Sequence, residues 1–341
     1  MEAYLDFEKP LALLEQKLAE LKGISKSGDL DLSSEILSLE KKVEKVVKDL
    51  YKNLSPWQRV QVSRHPSRPY ARDYIDNLFQ GFYELHGDRT FADDQALLGG
   101  IGFFNFGSKL GVQPVMILGQ QKGRSTKQKM ERNFGMARPE GYRKAMRLMD
   151  LAERARLPLL TLIDTPGAYP GLDAEERGQA QAIAESIARM YRYKGPSMAV
   201  VIGEGGSGGA LAIGIADSVH MMEYSTYSVI SPESCASILW NDSTLAEGAS
   251  EKLRMSAKDL LEFKIIDSII PEALGGAHRN WEGTFGNLAR VIQKSLGSHL
   301  EESLKEKGLA TLMEQRFQRY RALGSSALTS LAGVDTAQRR A

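Results

Sequence analysis

The sequence predicts an α/β fold in which parallel strands are joined by crossover helices. Three observations carry that expectation. Between residues 97 and 270, short apolar runs alternate with helical patterns at least three times. The runs Leu157–Ile163 and Met198–Ile202 are almost wholly apolar, as strands covered on both faces must be. Each run ends in a glycine-bearing turn, at 164–171 and at 203–209. Consecutive parallel strands leave such turns on one edge of the sheet, where ligands of open α/β sheets sit.

Composition narrows the possibilities. The chain has 341 residues and a net charge of +1, so no overall field draws it to nucleic acid or membrane. Cys235 is the single cysteine, which excludes an internal disulfide framework and a cysteine-based zinc site. The five histidines, at 65, 86, 220, 278 and 299, show no metal-ligand spacing, so no metal is expected on this chain. The acidic N-terminus lacks a signal-peptide core, and no apolar run is long enough to span a bilayer. A soluble, reducing, cytoplasmic setting is the expectation.

Residues 1–55 read as a helical hairpin arm. Leu11, Leu14, Leu18 and Leu21 form one apolar seam, and Ile36, Leu39, Val43, Val46 and Leu50 form the other. A main domain over 56–298, a C-terminal helix over 299–323 and a flexible tail over 324–341 complete the expected organisation. Pro56–Pro69 reads as irregular, Tyr70–Gln80 as a helix, and Glu84–Arg89 as a polar loop with a structural His86. Ala96–Phe106 and Val112–Gly119 flank a Gly107–Gly111 turn, a strand–turn–strand signal.

Lys122–Arg147 is dense in charge, with nine basic residues against Glu131 and Glu140. The charges from residue 139 onward fit the solvated face of a helix that starts at Pro139. Lys122, Arg124 and Lys127 precede it beside Gly123 and are candidate phosphate contacts. Glu175–Tyr191 reads as a helix. Strands are expected at 218–222, 227–230 and 265–270, helix starts at Ser231 and Ser256, and helices over 282–296 and 300–323.

The turn Gly203-Glu-Gly-Gly-Ser-Gly-Gly209 permits three chemistries. Gly203-x-Gly205-x-x-Gly208 matches a dinucleotide fingerprint, with Glu223 as the ribose-binding acid. Gly205-x-Ser207-x-Gly209 matches a nucleophile elbow, with Asp267 and His278 downstream as a serine hydrolase would need. The third reading is a hole of backbone amides, at the head of a short helix, for an oxygen that gains negative charge. On these letters all three stay open, as does a glycine turn that serves packing alone. Asp164-x-x-Gly167 after a strand is reminiscent of GTPases, but no GxxxxGK[ST] loop exists to hold phosphates.

Seven segments, in order, are more specific. They are Gly123–Lys127, Asn133–Met136, Pro139–Lys144, Asp164–Gly171, Gly203–Ala212, Tyr224–Glu233 and Leu274–Arg279. Together they closely resemble the carboxyltransferase α subunits of bacterial acetyl-CoA carboxylases, over about residues 1–320. Ala137 stands where that family commonly has proline, and 241–250 and the tail diverge. The resemblance implies a crotonase-like (ClpP/crotonase) superhelix of ββα units. It implies transfer of a carboxyl group from carboxybiotin, on the biotin carboxyl carrier protein, to acetyl-CoA. The product would be malonyl-CoA, in the first committed step of fatty acid synthesis.

The expected partners are a carboxyltransferase β subunit in an α2β2 heterotetramer, with zinc on the β chain, and a biotin carboxylase that uses the ATP. The α chain would be active only with its β partner. The resemblance selects the amide-hole reading, with the N–H groups of Gly205 and Gly206 on the biotin ureido oxygen. Gly208 and Gly209 would allow the turn, and Gly167, Ala168, Tyr169, Pro170 and Gly171 would wall the biotin pocket. Lys122, Arg124 and Lys127 would meet CoA phosphates.

Overall fold

The computed structural model describes residues 4–26 and 32–324. Helices α1 (Lys9–Lys26) and α2 (Ser33–Lys52) form the arm, followed by α3 (Pro56–Ser63) and α4 (Ala71–Leu78). Strands β1 (Gln80–Glu84), β2 (Leu97–Asn105) and β3 (Val112–Gln120) come next. Helices α5 (Thr126–Glu131) and α6 (Pro139–Arg154) cross to β4 (Leu159–Thr165), and α7 (Leu172–Glu176) and α8 (Gln179–Tyr191) cross to β5 (Ser197–Gly206). The short α9 (Ser207–Leu211) precedes β6 (Ser218–Met222) and β7 (Thr226–Ser228). Helices α10 (Pro232–Trp240), α11 (Ala246–Leu253) and α12 (Ala257–Glu262), strand β8 (Ser268–Ile270), and helices α13 (Trp281–Ser303) and α14 (Gly308–Ala322) follow.

The strands form one sheet in the order β1-β2-β3-β4-β5-β6-β8, with β7 beside the end of β5. β1, β2 and β3 are antiparallel, and every later pairing is parallel. Strand alternation divides the core in two. Leu159, Ile163, Ala199 and Val201 face α6 and α8, among Ala145, Leu148, Met149, Ala182 and Met190. Leu160, Leu162, Met198, Val200 and Ile202 face the other layer, among Tyr74 and Ile75 of α4 and Phe285, Leu288 and Ile292 of α13. Burial on both faces is why these strands carry no polar alternation.

Several elements differ from expectation. Residues 56–63 are helical, because Ser55 accepts the Gln58 N–H and the Gln58 side chain returns to the Ser55 N–H, a capping box behind Pro56. The helix expected through Gln80 ends at Leu78, and β1 occupies 80–84. β7 stops at Ser228, and Val229 is exposed. The break expected near Gly297 lies instead at Leu304–Lys307, so the boundary placed at 298 falls inside α13. Gly297 is not a helix end: a Cβ there would stand 3.3 Å from Phe106, so it lets α13 approach the β2–β3 connection closely.

The arm meets the main domain through Leu11, Val47 and Tyr51, which pack with Leu54, Val62 and Tyr224. Val43, Val46 and Leu50 of the expected seam are only partly buried. The buried face of α2 is thus turned by one residue from that seam. Helix α14 docks through Arg316, whose guanidinium lies 2.8 and 2.9 Å from the Asp217 carboxylate and donates to the carbonyls of Tyr193 and Gly195. The expected tail beyond Gly324 lies outside the described residues.

His220 of β6 bridges Ser268 of β8 and Ser295 of α13 at 2.7 and 3.0 Å. Burial pushes it down to about 4, and burial also lowers His299. A histidine in the unfolded chain titrates near about 6.5. Between those values the folded state binds fewer protons than the unfolded one, so stability falls as pH drops through the window. Thermal melts are expected to show Tm falling from about pH 6.5 toward pH 4, with a shallower slope in His220→Gln; an unchanged slope would remove His220 as the cause.

Candidate functional site

Two turns leave the same edge of the sheet, because β4 and β5 are adjacent and parallel. The first leaves Thr165 and runs through Gly171 into α7; the second is the end of β5 and the head of α9. They touch backbone to backbone. A Cβ on Gly206 would stand 2.1 Å from the Pro166 carbonyl oxygen, and one on Gly209 would stand 2.6 Å from the Ala168 nitrogen. Only glycine fits there. At Gly208 the nearest atom would be Ile183 Cγ2 at 3.4 Å, an ordinary contact. Ser207, exposed at the turn, adopts φ 49°, a left-handed strain that non-glycine residues hold only when their surroundings impose it.

The first turn is braced internally. Thr165 Oγ1 donates to the Gly167 carbonyl at 2.6 Å and accepts the Gly167 N–H at 3.1 Å. The Tyr169 N–H donates to Ala137, Gln179 Nε2 donates to the carbonyls of both residues, and Arg138 lies 4.7 Å from the Tyr169 ring centroid. Residues 167–171 therefore have a fixed course.

The backbone amides can be assigned from the sheet register. Glycine 205 is paired with Thr165 on one side and with Tyr227 on the other. A parallel pairing of this kind needs two N–H···O bonds. Pro166 has no N–H, so the pairing to β4 can only use the Thr165 N–H on Glu204 and the Gly206 N–H on Thr165. The Tyr227 N–H is spent on Met255, so the pairing to β7 sets the Gly205 N–H on the Thr226 carbonyl. The continuation to Gly206–Ser228 sets the Ser207 N–H on Ser228.

Gly205 and Gly206, expected as donors to the ureido oxygen, therefore lie within β5, which runs further than the glycine letters suggest, and the register sets their amides in the ladder. The next two amides, of Gly208 and Gly209, lie in the first turn of α9, where no upstream helix carbonyl can accept them. Gly209 lies against the Gly167–Ala168 backbone, and Gly208 lies against Ile183. Beside them, Ser207, Leu211, Tyr227, Val229, Leu260 and Phe263 are among the residues around a cavity of about 570 Å³.

Beneath both turns lies a buried ionic network. Lys122 Nζ sits 2.8 Å from Asp164 and 2.7 Å from Glu204, and Glu204 also pairs with Arg64 at 2.5 Å. Arg64 in turn pairs with Glu233. Burial opposes ionisation of Glu204, but Lys122 and Arg64 outweigh it and hold the carboxyl at about 2. Burial dominates at Asp164 and raises it, while Lys122 pulls the other way. For Lys122 itself the two carboxylates overcome burial and raise the ammonium above its ordinary value.

Lys122 is therefore not a cation awaiting phosphate. Arg124 is also committed: it pairs with Asp73, donates to the carbonyls of Pro66 and Arg68, and lies over the rings of Tyr70 and Trp281 at 4.5 and 4.9 Å. Lys127 is exposed on α5, 3.9 Å from Glu131. Sequence reasoning missed Arg64 and Gln120 as parts of the site's support, because their partners lie far away along the chain.

The rival chemistries are not assembled. His278 stacks on His65 at 4.1 Å between ring centroids and meets Tyr51 at 3.2 Å, while Asp267 accepts the Val219 N–H and pairs with Arg319. Neither is engaged with Ser207. Glu223 accepts the Glu272 N–H. Among the described residues, Glu8, His65 and His278 bring ligand-type atoms within 4.8 Å of one another. Tyr51 and the Leu5 N–H already donate to Glu8, and the Ser67 N–H donates to His65 Nδ1. That cluster is a hydrogen-bonded joint between arm and main domain.

The mixed sheet, parallel from β3 onward, with a glycine turn closing on its neighbour, is a crotonase-like fold. The structure superposes on the transcarboxylase 12S hexamer core with methylmalonyl-coenzyme A bound at a TM-score of 0.53 and 17% identity, over 68% of this chain and 41% of that one. It superposes on a chain of a Pseudomonas malonate decarboxylase hetero-tetramer in complex with coenzyme A at 0.53 and 17%, over 71% and 92%. Those likenesses concern the fold. The family described as acetyl co-enzyme A carboxylase carboxyltransferase-like matches residues 4–324. Acetyl-coenzyme A carboxylase carboxyl transferase subunit alpha of Methylococcus capsulatus is 51% identical over 94% of this chain and 97% of its own. The same subunit of Thermus thermophilus is 51% identical over 95% and 99%. The chain belongs to the acetyl-CoA carboxylase carboxyltransferase α-subunit family.

The contact geometry yields a graded prediction. Gly206→Ala and Gly209→Ala should each destabilise the domain, by about 1–3 kcal/mol for forced overpacking, while Gly208→Ala should melt like wild type. Equal melting of all three would show that the two turns are not in contact.

Proposed function

We propose that this chain carries the biotin-facing half of a carboxyltransferase that moves a carboxyl group from carboxybiotin to acetyl-CoA, forming malonyl-CoA. Family membership supports carboxyl transfer to an acyl-CoA. The observation that carries the site assignment is the head of α9, where Gly208 and Gly209 occupy the first turn and Gly209 lies against the Gly167–Ala168 backbone. Carboxybiotin, when bound, supplies the carboxyl group, and its ureido oxygen gathers negative charge as that group leaves.

The chain's own contribution is to receive that charge. Amides fixed by the fold stabilise it without reorganising during the reaction. Residues 167–171 would flank the ureido end of biotin, and the largely apolar cavity beside Ser207, lined by Leu211, Tyr227, Val229, Leu260 and Phe263, suits its ring and chain. Among the described residues His278 and Asp267 are engaged away from the turn, which fits a reaction that needs no protein base here. The partners proposed are a β subunit in an α2β2 assembly, the biotin carboxyl carrier protein and biotin carboxylase. The relatives' designation as subunit alpha supports the first.

The test is co-assembly with a β subunit and assay of malonyl-CoA decarboxylation with biocytin. Gly208→Ala retains the N–H and should keep activity. Gly208→Pro removes it, in a first turn that tolerates proline, and should lower kcat by about 10²–10³. Equal kcat in the two variants, both assembled with the β chain, would refute the donor role.

A further inference from the structure

Gln120 ends β3 and Lys122 follows two residues later, so strand alternation sends both side chains toward the same side. β3 neighbours β4, and β4 neighbours β5, so these side chains reach the ends of two further strands. Gln120 is fully buried. Its Oε1 accepts the Asp164 N–H at 3.1 Å, and its Nε2 donates to the Gly209 carbonyl at 2.7 Å. The amide can satisfy both only in this orientation. Lys122 Nζ joins Asp164 to Glu204, and Asp164 Oδ1 also accepts the Glu204 N–H at 2.9 Å.

We propose that Gln120 and Lys122 are positioning residues that pin the 164–171 turn to the 204–209 turn and so aim the Gly208 and Gly209 amides. Gln120 holds the α9 peptide directly through Gly209. Lys122 fixes the strand ends from which both turns depart. Neither side chain reaches the cavity beside Ser207, so neither is a catalytic residue. Their effect passes through the distance between two backbone segments that are already in contact. The proposal rests on the carboxyl-transfer reading of the site for its kinetic consequence, but its structural consequence is independent of that reading.

Three variants of the α chain, assembled with the β subunit, test it. Gln120→Met removes both hydrogen bonds at near-constant volume. Gln120→Glu keeps the acceptor for Asp164 and sets a second acceptor against the Gly209 carbonyl. Lys122→Met removes the ammonium. Hydrogen exchange in 166–171 and 207–211 should quicken in all three, with the arm unchanged. In the decarboxylation assay kcat should fall, by roughly 10²-fold for a displacement near 1 Å, while KM for malonyl-CoA stays at the wild-type value. Unchanged exchange in both segments would overturn the proposal whatever the activity. Quickened exchange with wild-type kcat, in an active assembly, would overturn the aiming role. If the wild-type assembly itself fails to transfer a carboxyl group while exchange quickens as expected, the pin stands and the reading of the reaction falls.

Discussion

Two glycine-bearing turns meet at the edge of the sheet with no side chain between them, and the site depends on that contact. Strands in hydrogen-bonded register run about 4.8 Å apart, so turns leaving adjacent parallel strands must either diverge or touch through their backbones. Here they touch. Gly206 and Gly209 are glycine because a methyl group would overlap Pro166 and Ala168. The approach places the head of α9 against the first turn.

Charge is used in this region for construction. Lys122, Arg64, Asp164, Glu204 and Glu233 form a chain of ion pairs below the turns, largely out of water. Burying such groups is costly unless each meets an opposite charge and further hydrogen bonds. That condition is met by residues from five separate parts of the sequence, so the network can exist only when β3, β4, β5, α10 and the 64–68 segment are in place. The same logic applies at Arg316, whose pairing with Asp217 anchors α14 against the opposite end of β5.

Much of the fold was legible in the letters. The apolar runs at 157–163 and 198–202 are central strands, the strand–turn–strand over 96–119 is an antiparallel hairpin, and both glycine turns share one edge. Those features follow from local patterning and from the burial of both sheet faces. Residues 56–63 were legible too, through the Ser55–Gln58 capping pair, although the arginines and prolines around them obscured it. The site was legible as a segment and not as atoms. Glycine letters mark where backbone can approach backbone, but they do not say which amides a neighbouring strand will take.

The sequence by itself determined the class of fold, its central strands and the glycine turns that end them, and the family. These rest on periodicity, turn chemistry and co-ordered motifs, all of which are local in the chain. Tertiary structure alone decided the rest. It extended β5 to Gly206, since β7 and Thr165 were there to pair with it. It turned Lys122 and Arg124 from apparent phosphate ligands into internal ion pairs, because their partners arrive from up to 82 residues away. A hydrogen bond or a buried charge is settled by what stands opposite it, and that information appears only when the chain has folded.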